Sequence, residues 1–359
     1  MRLVVTGGGT GGHVYPALEV AREARSRGWE VRYLGSERGQ EGPACRKERL
    51  EFEAFPAEPL VSLRTPRGWR ALARLLRSSL LAKRSLRRAR PDFVFATGGY
   101  SAAPVLRAAQ SLRIPYGLHE QNAVPGRTIR IAGPRAAFVA TVFRAAEDRL
   151  PGCRVVRTGM PVRAELRRAA ANRDPAKADR ILVVGGSQGS VAINEVALAT
   201  GARMTRPQVR WTHVCGRANF DACFHTFTNL GLPPEYELKA FLEAAEMAAE
   251  YSRARLVVGR SGAGTLSELA AFRLRSVLIP YPGAFAQHQL YNAREFEAMG
   301  AARILQQEEL TPASLEAALV ELSESDASAA VEELARWDLP DASARIADRI
   351  VEAAQAVAP

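Results

Sequence analysis

Short apolar runs rich in β-branched and aromatic residues punctuate the chain, and each closes on glycine or small polar residues before helical spacing takes over. The first run is Leu3, Val4 and Val5. It ends in Gly7, Gly8, Gly9, Thr10, Gly11, Gly12 and His13, and from Ala17 the apolar positions Leu18, Ala21 and Ala24 fall on one helical face. Residues 180–194 repeat the layout, with an apolar strand at 181–184, a loop Gly-Gly-Ser-Gln-Gly-Ser at 185–190, then a helix. Further strands are expected at 30–34, 92–97, 116–119, 136–140, 155–158, 209–214, 237–241, 255–258 and 276–280. Residues 342–357, with Ile346, Ile350, Val351 and Ala354 on one face, form a terminal amphipathic helix. Strands alternating with helices belong to parallel sheets. Two similar strand–loop–helix units half a chain apart predict an α/β protein of two Rossmann-like domains facing each other across a cleft.

The boundary falls at residues 159–163, where Pro161 stiffens the crossing and the polar stretch 164–179 reads as a linker. The expected division is 1–160 and 161–340, with the helix in 341–359 packing back on the first domain. A length of 359 residues suits two cores rather than one. No run of about 18 apolar residues occurs, and glycines interrupt the N-terminus too early for a signal peptide, which argues against export. Cys45, Cys153, Cys215 and Cys223 are scattered without paired spacing, in keeping with a reducing cytoplasm.

Charge changes this picture. The formal net charge is +11, and much of the excess lies in residues 60–91, which contain no Asp or Glu. Arg64, Arg67, Arg70, Arg74, Arg77, Lys83, Arg84, Arg87, Arg88 and Arg90 are interleaved with Trp69, Leu72, Leu75, Leu76, Leu80 and Leu81. As a helix this is an apolar stripe flanked by arginines, the layout of a surface that lies on anionic lipid. A core-packing helix with a solvated basic face has the same pattern. No stacking platform or nucleic-acid motif accompanies the charge, so nucleic acid is not expected as a partner.

The loops carry the chemistry. Glycines let backbone approach a ligand, and a helix start offers unpaired N–H groups to a phosphate or oxyanion. Neither loop is a Walker motif, and no Asp-x-Asp pair sits where it could hold a metal, so neither metal nor cofactor is expected. The cluster His119, Glu120, Gln121 and Asn122 ends a strand. Residues 260–268, RSGAGTLSE, form another small-residue loop opening a helix, whose Glu268 suits a ribose diol. Ser267 and Glu268 also suit a helix cap.

Seven stretches, GGTGGHVYP (8–16), GGY (98–100), HEQN (119–122), GMPVR (159–163), GGSQG (185–189), RSGAGTLSE (260–268) and HQLYN (288–292), together resemble the MurG family. These are GT-B-fold enzymes that move N-acetylglucosamine from UDP-GlcNAc to a lipid-linked muramoyl-pentapeptide. The resemblance implies an inverting transfer to the muramoyl 4-hydroxyl of lipid I, giving lipid II, at the cytoplasmic face of the cell membrane. It implies that Leu242, after Phe241, packs on uracil and that Glu268 holds the ribose. Ser187, Arg163 and the segment Ala263, Gly264, Thr265, Leu266 and Ser267 surround the ribose and diphosphate. Gln289, with His288, reads the sugar. Thr10, Gly11, Gly12 and Asn122 close over the donor, and Arg260 with the second loop's helix dipole stabilises departing UDP. His13 is the expected general base, with Glu120 as the alternative; the basic stretch at 60–91 falls where the family touches the membrane. Met160 stands where the family usually has Asn, Gln287 where it often has Asp, and Arg273 and Arg275 in a turn usually written with Gly and Pro. Two other readings share the pattern: another GT-B enzyme, such as a glycolipid synthase or a UDP-sugar epimerase, and a non-enzymatic protein that binds anionic lipid.

Overall fold

The computed structural model describes residues 1–9, 11–59, 64–186, 189–205 and 209–356. Thr10, Ser187 and residues 60–63 of the basic stretch therefore lie outside the described residues. The chain forms two compact units, Met1–Arg163 with Leu339–Pro359, and Ala164–Asp338.

The first unit holds seven strands: β1 (Arg2–Thr6), β2 (Glu30–Ser36), β3 (Glu51–Phe55), β4 (Phe93–Ala96), β5 (Tyr116–Glu120), β6 (Phe138–Thr141) and β7 (Val155–Arg157). All pairings are parallel, in the order β3-β2-β1-β4-β5-β6-β7. Continuous apolar runs such as Leu3-Val4-Val5 fit a sheet covered on both faces, because alternate residues feed opposite cores. Leu3, Val5, Phe93 and Phe95 pack with Val14, Leu18, Ile346 and Ile350. Val4, Val94, Ala96 and Leu118 pack with Ala82, Leu86, Val105 and Leu106. The C-terminal helix Ala342–Gln355 belongs to this unit, and an Arg27–Asp348 ion pair of 2.6 Å joins it to the first helix.

The second unit holds β8 (Arg180–Val184), β9 (Arg210–Val214), β10 (Tyr236–Lys239), β11 (Ala254–Gly259), β12 (Arg275–Leu278) and β13 (Ala302–Ile304), parallel in the order β10-β9-β8-β11-β12-β13. At the start of its inner strand β8 the buried Arg180 guanidinium lies 3.0 Å from Glu250 and 3.1 Å from Thr212, so the charge is paired and hydrogen-bonded as burial requires.

Several elements differ from the expected ones. The first helix begins at Gly11, not Ala17, and runs to Ser26 with Pro16 inside it. Its opening residues are poor helix formers by composition, so the pattern hid them. The stretch read as a linker instead forms the helix Ala164–Ala171, because Ala and Arg favour helix and buried Leu166 anchors it against the helix Ala244–Arg253. The division falls after Arg163 and Asp338 rather than after residues 160 and 340. The carbonyl of Thr141 accepts from the N–H groups of Thr158 and Gly159 at 3.1 Å each, which fastens this crossing to the first unit.

The basic stretch is one helix, Pro66–Ala89, capped by the Thr65 hydroxyl accepting from the Gly68 N–H. It lies along the helix Ala102–Leu112. Its inward positions are mostly small: Ala71, Ser78, Ser79, Ala82 and Ser85 are buried. Trp69 (63% exposed), Leu76 (43%) and Leu80 (64%) point outward, beside exposed Arg70, Arg77 and Arg84. No helix among the described residues is long and apolar enough to cross a membrane.

Candidate active site

In each sheet the strand order reverses beside the first strand, at β1/β4 and at β8/β11. Ligands of open α/β sheets bind at such points, outside the carboxyl ends of the strands. Both glycine loops sit there.

In the first unit, the loops after β1 and β4 interlock. A Cβ on Gly99 (φ +80°) would fall 2.2 Å from the Gly8 carbonyl oxygen, so only glycine allows this approach. The Thr97 hydroxyl donates to the His13 carbonyl at 2.8 Å. His13 is the third residue of the helix Gly11–Ser26, not the end of the turn. Its Nδ1 lies 2.9 Å from the Thr97 carbonyl and 2.9 Å from Gln121 Oε1, residues 84 and 108 positions away. Burial lowers the His13 pKa, partly opposed by those two hydrogen bonds and by the Glu41 charge. The ring is thus neutral at pH 7.

Glu120 is buried at the end of β5, and burial pushes its pKa up to about 7. Its Oε1 accepts from the Asn122 backbone N–H at 2.9 Å and its Oε2 from that of Gly126 at 2.8 Å. Both oxygens therefore organise the loop 120–126. Arg163 belongs to this unit and lies over the Tyr15 ring, 5.5 Å from its centroid.

In the second unit, a Cβ on Gly189 (φ +76°) would fall 2.0 Å from the Cys215 carbonyl oxygen, which locks the second glycine loop to the end of β9. The loop after β11 opens the helix Ala263–Ala271. There Ala263, Leu266 and Ser267 are buried, and the Ser267 hydroxyl donates back to the Ala263 carbonyl at 2.8 Å. These three offer backbone only. Gly264, Thr265 and Glu268 keep some exposed surface, and among the described residues nothing beyond the local chain lies within 4 Å of a Cβ built on Gly262 or Gly264. Glu268 Oε2 accepts from the buried Tyr251 hydroxyl at 3.1 Å.

Three further expected side chains, Arg260, Leu242 and Gln289, have defined surroundings. Arg260 donates from Nη1 to the carbonyls of Ile279 (3.1 Å) and Pro280 (3.2 Å), and from Nη2 to Ser190 Oγ (2.8 Å) and Gln307 Oε1 (2.6 Å). It is a strut between β12 and the second glycine loop, because the strand ends supply bare carbonyls at that point. Leu242 is 7% exposed, whereas Phe241 is 37% exposed with the Arg217 guanidinium 4.4 Å from its ring centroid. The Phe241–Arg217 platform was missed in the sequence, where an aromatic next to leucine carried no distinguishing signal. Gln289 spends its Oε1 on the Tyr281 N–H at 3.0 Å, which leaves its amide N–H groups available.

Just before it, Ala286 (φ +49°) and Gln287 (φ +54°) are both left-handed. An L residue there carries roughly 1–2 kcal/mol of strain. Ala286→Gly is expected to raise stability by about 0.5–1 kcal/mol, after allowing for glycine's greater freedom in the unfolded chain. Urea denaturation at fixed slope measures it; a loss of stability would show that the turn is unstrained.

Two parallel sheets of Rossmann order, each with a glycine loop at its switch point, define a GT-B-type nucleotide-sugar enzyme. Residues 3–141 match the glycosyltransferase family 28 N-terminal domain, and residues 180–346 match its C-terminal domain. The UDP-N-acetylglucosamine--N-acetylmuramyl-(pentapeptide) pyrophosphoryl-undecaprenol N-acetylglucosamine transferase of Symbiobacterium thermophilum is 38% identical over 98% of this chain and 96% of its own length. The protein of the same name from Syntrophotalea carbinolica is 37% identical over 90% of each chain. The crystal structure of Acinetobacter baumannii MurG superposes with a TM-score of 0.78 at 28% identity, covering 98% of this chain and 99% of that one. The chain belongs to this transferase family within glycosyltransferase family 28.

Proposed function

We propose that this protein transfers N-acetylglucosamine from UDP-GlcNAc to the 4-hydroxyl of the muramoyl sugar in undecaprenyl-diphospho-MurNAc-pentapeptide, forming lipid II with inversion at C1. The family relationship supports the donor and acceptor. The chemistry rests on one observation: His13 is fixed through Nδ1, while no described residue hydrogen-bonds its Nε2. The acceptor 4-hydroxyl loses its proton to that nitrogen as its oxygen attacks C1, and the bond from C1 to the diphosphate breaks to release UDP. We assign the base to His13 over Glu120 because both Glu120 oxygens already hold backbone N–H groups.

On the donor side, Glu268 accepts from the ribose hydroxyls. The N–H groups opening the helix Ala263–Ala271, beside Gly262 and Gly264, take the diphosphate. Phe241 offers its face to uracil, and the Gln289 amide donates to the sugar. Arg260 acts by holding Ser190 and the second glycine loop in place. Gly11, Gly12, Arg163 and Asn122 meet the substrates from the first unit. Radiolabelled UDP-GlcNAc mixed with a short-chain lipid I analogue tests this: label should pass into the lipid product. Conversion of the donor to an epimer, with no labelled lipid, would replace the transferase reading.

The outward face of the helix Pro66–Ala89 is proposed as the contact with anionic membrane at the cytoplasmic face. Trp69, Leu76 and Leu80 face solvent while Ala71, Ser78, Ser79, Ala82, Ser85 and Leu86 face the core, so part of the apolar stripe is left outside. Replacing Trp69, Leu76 and Leu80 together by serine should weaken binding to phosphatidylglycerol-containing vesicles at least 100-fold, because burying each side chain in lipid contributes about 1.5–3 kcal/mol. Vesicle flotation measures the change. Undiminished flotation would move the membrane contact elsewhere.

A further inference from the structure

His13 ends a buried chain of hydrogen bonds whose directions are fixed by carbonyl oxygens. The chain starts at the Gly159 carbonyl, 3.0 Å from Nε2 of the fully buried His119. A carbonyl only accepts, so His119 carries its proton on Nε2 and presents a lone pair at Nδ1. Gln121 Nε2 lies 3.0 Å from that Nδ1 and 2.9 Å from the carbonyls of Thr97 and His119. Three acceptors surround it, so this end of the amide is the NH2 group and Oε1 faces His13. His13 Nδ1 then meets two acceptors, Gln121 Oε1 and the Thr97 carbonyl, both at 2.9 Å. It must donate, and the neutral ring keeps its lone pair on Nε2.

We propose that Gln121 and His119 are positioning residues that lock His13 in the Nδ1–H tautomer and in one ring orientation, so that its Nε2 lone pair meets the acceptor hydroxyl; this rests on the reading of His13 as the base. No proton travels along the chain. When His13 takes the hydroxyl proton on Nε2, its Nδ1–H stays with Gln121 and Thr97, and both amide and carbonyl stabilise the imidazolium. The ionisable groups acting on His13 are the Glu41 carboxylate and His119, and burial holds His119 neutral with a pKa of about 4. His119 therefore contributes lone-pair geometry rather than charge. A wrong tautomer would place an N–H against the hydroxyl proton and stop its removal.

Heteronuclear NMR of the wild-type protein with isotope-labelled histidines reads the tautomers directly. His13 should be protonated at Nδ1 and bare at Nε2 near neutral pH, and His119 the reverse. Gln121→Leu should leave Nδ1–H to the Thr97 carbonyl, loosen the His13 ring orientation, shift its NMR signals and lower kcat about 10- to 100-fold, the range seen on losing outer partners of metal-bound histidines, with the KM for UDP-GlcNAc unchanged. His119→Asn keeps an oxygen where Nδ1 stood and should recover most of the rate that His119→Leu loses. Thermal melts of each variant separate unfolding from mispositioning. An Nε2–H tautomer in wild-type His13, or a wild-type rate and spectrum in Gln121→Leu, would overturn the proposal. A wild-type rate in His13→Ala would instead remove the base role, while the spectrum still judges the tautomer.

Discussion

Replacing His13 with alanine lowers kcat by about 100- to 10,000-fold, the range over which a positioned general base accelerates proton transfer. Donor affinity is expected to stay within about twofold, because the residues assigned to uridine and ribose lie in the second unit and His13 lies in the first. The pH profile separates this base from its rival. Burial lowers the His13 pKa below the ordinary 6.5, so kcat/KM holds down to mildly acidic pH and falls as the ring protonates below that value. Glu120, raised to about 7 by burial, would give a fall centred near neutrality. Steady-state rates from pH 5 to 9 distinguish the two. A limb near 7 that survives in His13→Ala would transfer the role to Glu120.

Glu268→Ala should raise the KM for UDP-GlcNAc about 10- to 150-fold with little change in kcat. A hydrogen bond to a charged group contributes about 1.5–3 kcal/mol, and contacts with the ribose are the same in ground and transition states. Alanine also removes the hydrogen bond that the buried Tyr251 hydroxyl donates to Glu268, so part of any loss reflects the fold. Glu268→Gln keeps an oxygen for Tyr251 and isolates the ribose contact. Isothermal titration with UDP reads it without turnover; unchanged affinity in both variants would remove Glu268 from the ribose.

The parts of this molecule encoded by neighbouring residues were legible in the sequence. A short apolar strand, a glycine loop and a helix follow each other directly, so both loops and the cluster at 119–122 could be found by spacing alone. The parts that depend on strand adjacency could not. His13, Thr97, Gln121 and His119 meet because β1, β4 and β5 are neighbours, and nothing near His13 announces a partner 108 residues away. Arg260 reads in the sequence as a cation for the donor, and the carbonyls of Ile279 and Pro280, which accept from it, lie 19 and 20 positions away. Ser267 and Leu266 sat within a binding motif, yet helical geometry turns both inward. The basic helix was legible as amphipathic, but which side faced the core was not. Its apolar stripe suits a core-packing or a lipid-facing reading equally, and the structure divides it: Leu86 is buried in the core while Trp69, Leu76 and Leu80 stay exposed.

The most direct test of the account is the fate of UDP-GlcNAc with and without the acceptor analogue. Reaction with acceptor should release one UDP per glycan joined, and NMR of the product should show a β-1,4-linked N-acetylglucosamine. UDP release at the same rate without acceptor, or an α linkage, would contradict it.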